Sequence, residues 1–306
     1  MKKYIVYRYL LLVPCLVWSS WGQAQGIDDA RPDQQIYAGQ SRVVPSFGAL
    51  PYDGIKISGG LSSSAFRDQA TSPLYYSGLA QSLGLAFTRI YGKKEIETGF
   101  SYAKGNFRNS YNGQSNISTL NTMAAYHFRL YSLRKPAGQK WLFRAGGGIY
   151  TQGALRLNNG LQNNAVGIDF LASLMGSVKA TRDISRKAGG SSRWLFLNHK
   201  RAPRKRDLGF RLNIGLANAA LREGFAYLPE NAVRNETGIK AILSDRSLQG
   251  AVYLSTSVDY TVWTRNNNAW QLSYLWDACK TMGPNEPLDW NNHMLRLSLI
   301  FHTNRK

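Results

Sequence analysis

Residue types that support catalysis or metal binding are sparse in this chain of 306 residues. Its four histidines form no His-x-His pair, and no Cys-x-x-Cys or acidic EF-hand spacing is present. Zinc and calcium sites need several such ligands close together. Asp289, His293 and Ser298 supply the residue types of a serine triad, but on one strand His293 and Ser298 would face opposite sides. The sequence therefore predicts a protein that is not an enzyme and has no metal site and no cofactor; a loop-borne hydrolase is an alternative.

The chain is strongly basic, with 38 Lys and Arg against 18 Asp and Glu and a formal net charge of +20. Much of the excess lies in residues 182–207, which hold nine basic and two acidic side chains. The basic ones are Arg182, Arg186, Lys187, Arg193, Lys200, Arg201, Arg204, Lys205 and Arg206. Such a block attracts anionic envelope components such as peptidoglycan or lipid headgroups, and a solvated insertion without a partner is the alternative. No DNA- or RNA-binding motif accompanies the charge, so we expect no binding to nucleic acid.

The N-terminus has the pattern of a secretory signal peptide over residues 1–24. Basic residues precede a short apolar stretch, and small residues follow at Gly22 and Ala24. The stretch is too short to cross a bilayer as a helix. Cleavage after Ala24 leaves Cys279 as the one cysteine, so no internal disulfide is expected. Residues 25–53 show no clear period and are predicted to form an irregular periplasmic segment.

From residue 54 onward the dominant hydrophobic period is two, the signature of a β-strand. Apolar side chains alternate with Gly, Ser, Asn and a few charged residues. No run of 18 apolar residues follows the N-terminal region, which excludes a bundle of membrane helices. Ten segments are predicted as strands: 54–66, 74–91, 95–106, 117–132, 140–152, 166–180, 208–217, 250–263, 269–279 and 293–302.

The polar faces of these segments distinguish a membrane barrel from a soluble sandwich. A sandwich exposes a wet face rich in Lys and Glu, whereas these faces are rich in small residues, as in a narrow barrel interior. The sequence therefore predicts an all-β, transmembrane, antiparallel up-and-down barrel of about ten strands over residues 54–301, with a soluble sandwich as the alternative. Aromatic residues near strand ends are expected to form the interfacial girdles: Tyr91, Tyr131, Trp141, Trp263, Trp270, Trp276, Trp290 and Phe301.

The same alternation places charges of both signs inside the predicted barrel. In segment 117–132, we assign Tyr126 and Phe128 to the lipid face and His127 and Arg129 to the lumen. A barrel of this size leaves little room for water, so opposite charges inside it must pair. An ion-pair network that fills the lumen is the favoured interpretation, and a gated, weakly anion-selective pathway for small solutes is the alternative. The predicted lumen charges are Glu97, Arg129, Arg144, Asp169, Lys179, Arg211, Asp259, Asp277 and Arg296.

Connection lengths predict the orientation of the barrel. Outer-membrane barrels have short periplasmic turns and longer external loops. The short connections here, including 92–94 and 265–268, place both termini of the barrel in the periplasm. The basic residues 182–207 then form a periplasmic insertion, and the external loops are 107–116, 222–248 and 280–291.

The signal peptide, the amphipathic strands and the last strand, residues 295–301, resemble the Gram-negative outer-membrane β-barrels, in particular the small barrels similar to OmpA, OmpX and OmpW. In that class the barrel insertion machinery reads the terminal aromatic residue of the last strand as an assembly signal. The resemblance assigns this role to Phe301, although a tail of residues 302–306 follows it. It implies an outer-membrane location with outer-membrane lipid and the insertion machinery as partners. It also implies a non-enzymatic structural, adhesive or envelope-interaction role for the external loops and the basic insertion.

Overall fold

Among the residues that it describes, the computed structural model of the chain shows twelve β-strands, ten of which form a closed barrel. The residues that it describes are 52–69, 72–111, 114–133, 141–158, 160, 166–185, 190–194, 197–201, 204–223, 246–264, 266–282 and 287–303. No helix in these ranges is long and apolar enough to cross a membrane. The strands are β1 Tyr52–Asp68, β2 Tyr76–Tyr91, β3 Lys94–Tyr111, β4 Gln114–Ser132, β5 Trp141–Leu157, β6 Val166–Asp183, β7 Gly190–Trp194, β8 Leu197–Arg201, β9 Arg206–Glu223, β10 Arg246–Trp263, β11 Ala269–Met282 and β12 Leu288–His302.

Every neighbouring pair of barrel strands is antiparallel, and β1 pairs with β12 to close the barrel. The predicted all-β barrel of ten strands is therefore confirmed. Strands β7 and β8 form a separate two-stranded sheet inside the connection between β6 and β9. The path of paired residues that starts at Asp53 of β1 and runs once around the barrel returns to β1 at Ala65. The strands are therefore staggered, as tilted strands in a closed barrel must be.

We call the end of the barrel where β1 begins and β12 ends the near end, and the opposite end the far end. The near end carries the two-residue turn at Gly92 and Lys93, where Gly92 has a φ of 55°. Glycine adopts this left-handed conformation at little cost, which suits a tight hairpin. At the same end, the backbone of Thr303 donates a hydrogen bond to the Asp53 carbonyl and fastens the end of β12 beside β1.

The outer surface of the barrel is a broad belt of exposed apolar side chains. Leu83 is 69% exposed and Leu216 is 70% exposed, and every barrel strand contributes exposed large apolar residues to the belt. Such side chains alternate with buried serines, alanines and charged residues that point inward, for example Ser82 and Ala86 on β2. Phe301 lies on the outer side of the last strand, opposite Ile55 of β1.

The predicted facing of β4 is wrong. Phe128 is only 5% exposed and points into the lumen, whereas Arg129 and His127 are exposed on the outer surface. Residues that lie directly opposite in a sheet share a face, and Phe128 pairs with the inward-facing Glu97 of β3. Apolar residues on β4 fill the barrel interior, so hydrophobicity alone assigned the wrong face to this strand.

Two predicted girdle residues also lie inside the barrel. The indole nitrogen of Trp263 donates a hydrogen bond to Asp207, and Trp290 packs beside the ring of Tyr253. Both side chains line the lumen, whereas Trp141 and Tyr91 are exposed on the outer surface. The predicted signal peptide and all but the last two residues of the segment 25–53 lie outside the described residues, as do residues 224–245 of the longest predicted external loop.

Candidate functional site

Six charged side chains lie across the lumen at the near end. We call them the near-end cluster: Lys56, Glu95, Glu97, Arg144, Lys179 and Arg211. Glu97 of β3 lies 3.0 Å from Lys56 Nζ and 2.8 Å from Arg211 Nη1. Glu95 forms ion pairs with Arg144, at 3.0 Å, and with Lys179. Since β3 and β9 lie on different sides of the barrel, the pair between Glu97 and Arg211 spans its interior.

Arg211 is held by more than its carboxylate partner. Its Nε donates hydrogen bonds to Ser177 Oγ at 3.1 Å and to Asn213 Oδ1 at 3.0 Å. Its guanidinium carbon lies 4.1 Å from the centre of the Phe128 ring, within the range of a cation–π interaction. The inward position of Phe128 therefore supports the near-end cluster directly, and the hydroxyl of Tyr126 adds a 3.3 Å hydrogen bond to Glu97.

A second cluster lies in the lumen at the far end, and we call it the far-end cluster: Asp68, Arg156, Asp169 and Arg222. Each aspartate contacts both arginines, so the four charges alternate in a closed ring. Asp68 is 2% exposed and Arg222 is 1% exposed. Arg222 also donates a hydrogen bond from Nη1 to Thr281 Oγ1 of β11. Four barrel strands meet in the ring, which makes it a cross-brace of the far end.

A β-bulge in β9 allows one strand to supply both Arg211 and Arg222. The two residues are an odd number of positions apart, so a regular strand would point them to opposite faces. The register of β9 against β6 shifts at Leu216, which is an extra residue without a partner on β6. Asn218 holds the bulge, because its side-chain amide donates hydrogen bonds to the carbonyls of Gly215 and Ala251.

A group of buried aromatic and other apolar side chains packs inside the lumen as well. The rings of Tyr150 and Tyr253 stack at 5.0 Å, and Trp290 packs against Tyr253 at 5.8 Å. The lumen contains a cavity of about 340 Å³ whose lining residues reach from the near end to the far end. Asp277 and Arg296 face this cavity, and neither forms an ion pair with another described residue.

Most of the predicted lumen charges lie inside the barrel, and Arg129 does not. Those that are buried or line the lumen are Glu97, Arg144, Asp169, Lys179, Arg211, Asp259, Asp277 and Arg296. The two-residue period did not identify five other lumen charges, which are Lys56, Asp68, Glu95, Arg156 and Arg222. Continuing the two-residue period of β5 beyond its predicted end would have found Arg156. No comparable signal existed for Arg222, because the bulge breaks the period before it.

The basic residues of 182–207 are spread over several elements. Arg182 is exposed at the end of β6, where its guanidinium lies 5.5 Å from the Trp141 ring centre. Lys205 lies 5.0 Å from the ring centre of Trp263, and burial lowers the pKa of its ammonium group. Arg186 and Lys187 lie outside the described residues. The others belong to β7 (Arg193), to β8 (Lys200 and Arg201) and to the start of β9 (Arg204, just before the strand, and Arg206).

The three residues considered for a serine triad do not meet. Asp289 forms an ion pair with Arg67, and the ring of His293 lies beside Tyr274 on the exposed surface. Ser298 is buried on the opposite face of β12. His127 likewise contacts Thr98 on the outer surface. Among the described residues, no group of three or more His, Cys, Asp or Glu side chains is placed to hold a metal ion.

No protein-family model matches the sequence, and no curated protein matches it. Similar solved structures include the transport unit of the autotransporter AIDA-I from Escherichia coli (10% identity, 88% of this chain and 94% of that one, TM-score 0.42). They also include the outer membrane protease OmpT from Escherichia coli (8% identity, 84% of this chain and 98% of that one, TM-score 0.47). A third is Ail, the attachment invasion locus protein of Yersinia pestis (9% identity, 82% of this chain and 99% of that one, TM-score 0.23).

Identities at this level concern the fold alone and carry no activity over to this chain. The closed antiparallel topology, the apolar outer belt and the polar, charged interior are properties of the chain itself. Together they are the architecture of a transmembrane β-barrel of the outer-membrane type.

Proposed function

We propose that this chain is a non-enzymatic outer-membrane protein whose lumen is blocked to ions. Its function is then carried by the surfaces that the barrel presents on either side of the membrane. The observation that carries the proposal is that two ion-pair clusters cross the lumen at different heights. Buried opposite charges held by additional hydrogen bonds are costly to separate, since breaking one partner leaves an uncompensated charge. Such clusters stiffen a narrow barrel and obstruct ion flow through it.

The membrane location is supported by the outer surface. Soluble proteins rarely expose contiguous apolar patches larger than a few hundred Å², whereas here all ten barrel strands expose large apolar side chains outward. The hydrocarbon core of a membrane is the environment in which such an apolar surface is stable. An exported chain of this kind belongs in the outer membrane of a Gram-negative cell, inserted there by the barrel insertion machinery through its last strand and Phe301.

The near end is assigned to the periplasm, because it carries the tight turn at Gly92 and both termini of the barrel. The basic insertion 182–207 then extends into the periplasm, where anionic envelope components are its proposed partners. The loops at the far end face the outside and are the proposed sites of adhesive or structural contacts. Nucleic acid is not a proposed partner.

A planar-bilayer experiment tests whether the lumen of the barrel is blocked to ions. We expect the wild-type protein to show no steady conductance. The double variant Arg211→Ala/Arg222→Ala removes one cation from each cluster and is expected to conduct. The matched control is Arg67→Ala/Arg89→Ala, which removes two arginines that pair with Asp289 and Asp53 and belong to neither cluster. Steady conductance through the wild-type protein would contradict a blocked lumen.

Such conductance is the expected result of a second candidate function, a narrow channel for small solutes. The cavity of about 340 Å³ along the lumen favours it, as do Asp277 and Arg296, which face that cavity without an ion pair among the described residues. The reversal potential in a salt gradient would measure the selectivity of such a channel. Equal numbers of acidic and basic side chains line the cavity, so we expect at most a weak preference for anions.

A further inference from the structure

Three cations lie on the outer surface of the barrel at the near end, within the four consecutive strands β3, β4, β5 and β6. They are Lys94 on β3, Arg129 on β4 and Arg182 on β6, and all three are exposed. Lys94 lies directly opposite Tyr131, with Nζ 5.9 Å from the ring centre. Arg182 lies opposite Trp141, with its guanidinium 5.5 Å from that ring. We call these five residues the rim patch.

The rim patch keeps its positive charge. Glu95 and Glu97, the acidic residues on β3, point into the lumen and are paired there. Asp183, beside Arg182, accepts a hydrogen bond from the backbone of Ser185. The nearby outward-facing Arg89 shows the contrasting arrangement, since Asp53 forms an ion pair with it. No carboxylate forms an ion pair with the three cations of the rim patch among the described residues.

The position of Arg129 explains why a charge is tolerated on a lipid-facing surface. An arginine facing lipid is costly at the bilayer midplane and nearly free of cost at the interface. Arg129 lies close to the near end of β4, two residues from the exposed Tyr131 on the same face of the strand. Tyrosine and tryptophan prefer the headgroup level of a membrane. The patch therefore lies where lipid phosphates lie.

We propose that the rim patch binds the phosphate headgroups of anionic phospholipids in the inner leaflet of the outer membrane. The proposal rests on the proposed membrane function and on the assignment of the near end to the periplasm. Arginine presents several N–H donors in a planar fork that matches phosphate oxygens. Lysine adds a compact charge, and the aromatic rings pack against the glycerol and upper acyl region. Clusters of Lys and Arg next to a membrane select anionic lipids.

Native mass spectrometry of the full chain in a non-ionic detergent, titrated with phosphatidylglycerol or phosphatidylcholine, tests the proposal. We expect the wild-type protein to bind phosphatidylglycerol about tenfold more tightly than phosphatidylcholine. The variant Lys94→Gln/Arg129→Gln/Arg182→Gln should lose this preference. The matched control, Lys104→Gln/Arg108→Gln/Lys280→Gln, removes the same charge from exposed positions nearer the far end and should keep it. Folding of each variant is verified by heat-modifiable mobility, and Arg129→Gln alone serves if the triple variant does not fold.

Equal binding of the two lipids by the wild-type protein, or equal loss in both triple variants, would overturn the proposal. Tighter binding of lipid A than of phosphatidylglycerol at the rim patch would also overturn it, because that result would assign the patch to the outer leaflet. The proposed membrane function fails by a different result, the recovery of folded wild-type protein from the cell without detergent. The two failures are therefore distinguishable.

Discussion

Arg222, near the end of β9, donates a hydrogen bond across the lumen to Asp68 at the end of β1. Both side chains are almost completely buried. The contact ties two strands that are not neighbours in the barrel. Because Arg222 is an odd number of positions from the inward-facing Arg211, a regular strand of the same sequence would turn Arg222 to the lipid, and the extra residue Leu216 corrects its facing.

Replacement of Arg222 by methionine should lower the free energy of unfolding by about 3–5 kcal/mol, since Asp68 and Asp169 would then share one arginine in a buried site. Urea unfolding in lipid vesicles, followed by tryptophan fluorescence, measures the loss. Arg67→Met is the control, because its partner Asp289 is part-exposed and such pairs contribute at most about 1 kcal/mol. Equal losses of unfolding free energy in the two variants would mean that the far-end cluster stabilises the barrel no more than an exposed ion pair does.

Deletion of Leu216 should be tolerated, although it removes a residue from the middle of a membrane strand. Leu216 has no partner on β6, so its deletion restores a regular ladder and leaves both Arg211 and Arg222 inside. Deletion of Ala172 from β6, where the pairing is regular, should block folding, since every following side chain on that strand would change face. Heat-modifiable mobility reports folding of both chains. If the chain without Leu216 also did not fold, Leu216 would not be a dispensable extra residue of β9.

The corrected facing of β4 predicts which substitutions block insertion. Met123 lies near the middle of the strand on the exposed side, so Met123→Arg places a charge in hydrocarbon at a cost of about 2–4 kcal/mol. Met123→Leu is the matched control and should insert normally. The fraction of folded protein in vesicles is the measurement. If Met123→Arg inserted as well as Met123→Leu, the strand would have to face the other way.

Gly148 of β5 should resist even a small substitution. It lies opposite Phe128, and a Cβ added to Gly148 would overlap the His127 carbonyl and the Phe128 ring. Gly148→Ala should therefore cost about 1–3 kcal/mol by overpacking and disturb the stacking of Phe128 beneath Arg211. Gly153→Ala on the same strand meets no atom within 4 Å and should be neutral. Urea unfolding midpoints compare the two variants, and identical midpoints would contradict the packing argument.

The hydrophobic period of the sequence alone was sufficient to predict the ten barrel strands and, for most of them, which side chains point inward and which outward. On β12, leucines at every second position lie outside, and Arg296 and Ser298 lie inside, as the alternation predicts. The reason is that a strand turns successive side chains to opposite faces whatever its neighbours are. The closed antiparallel architecture and the inward position of Lys179, Asp169 and Arg144 followed from this local rule.

Only the tertiary structure decided the facing of Phe128 and Arg129 and the inward position of Arg222. Both strands concerned give ambiguous local signals, because β4 has apolar residues on both faces and β9 contains an extra residue. Pairing with Glu97 settles β4, and pairing with β6 and β10 sets the bulge in β9. Which charges meet across a barrel depends on register and stagger between strands, and a single strand does not carry that information in its own period.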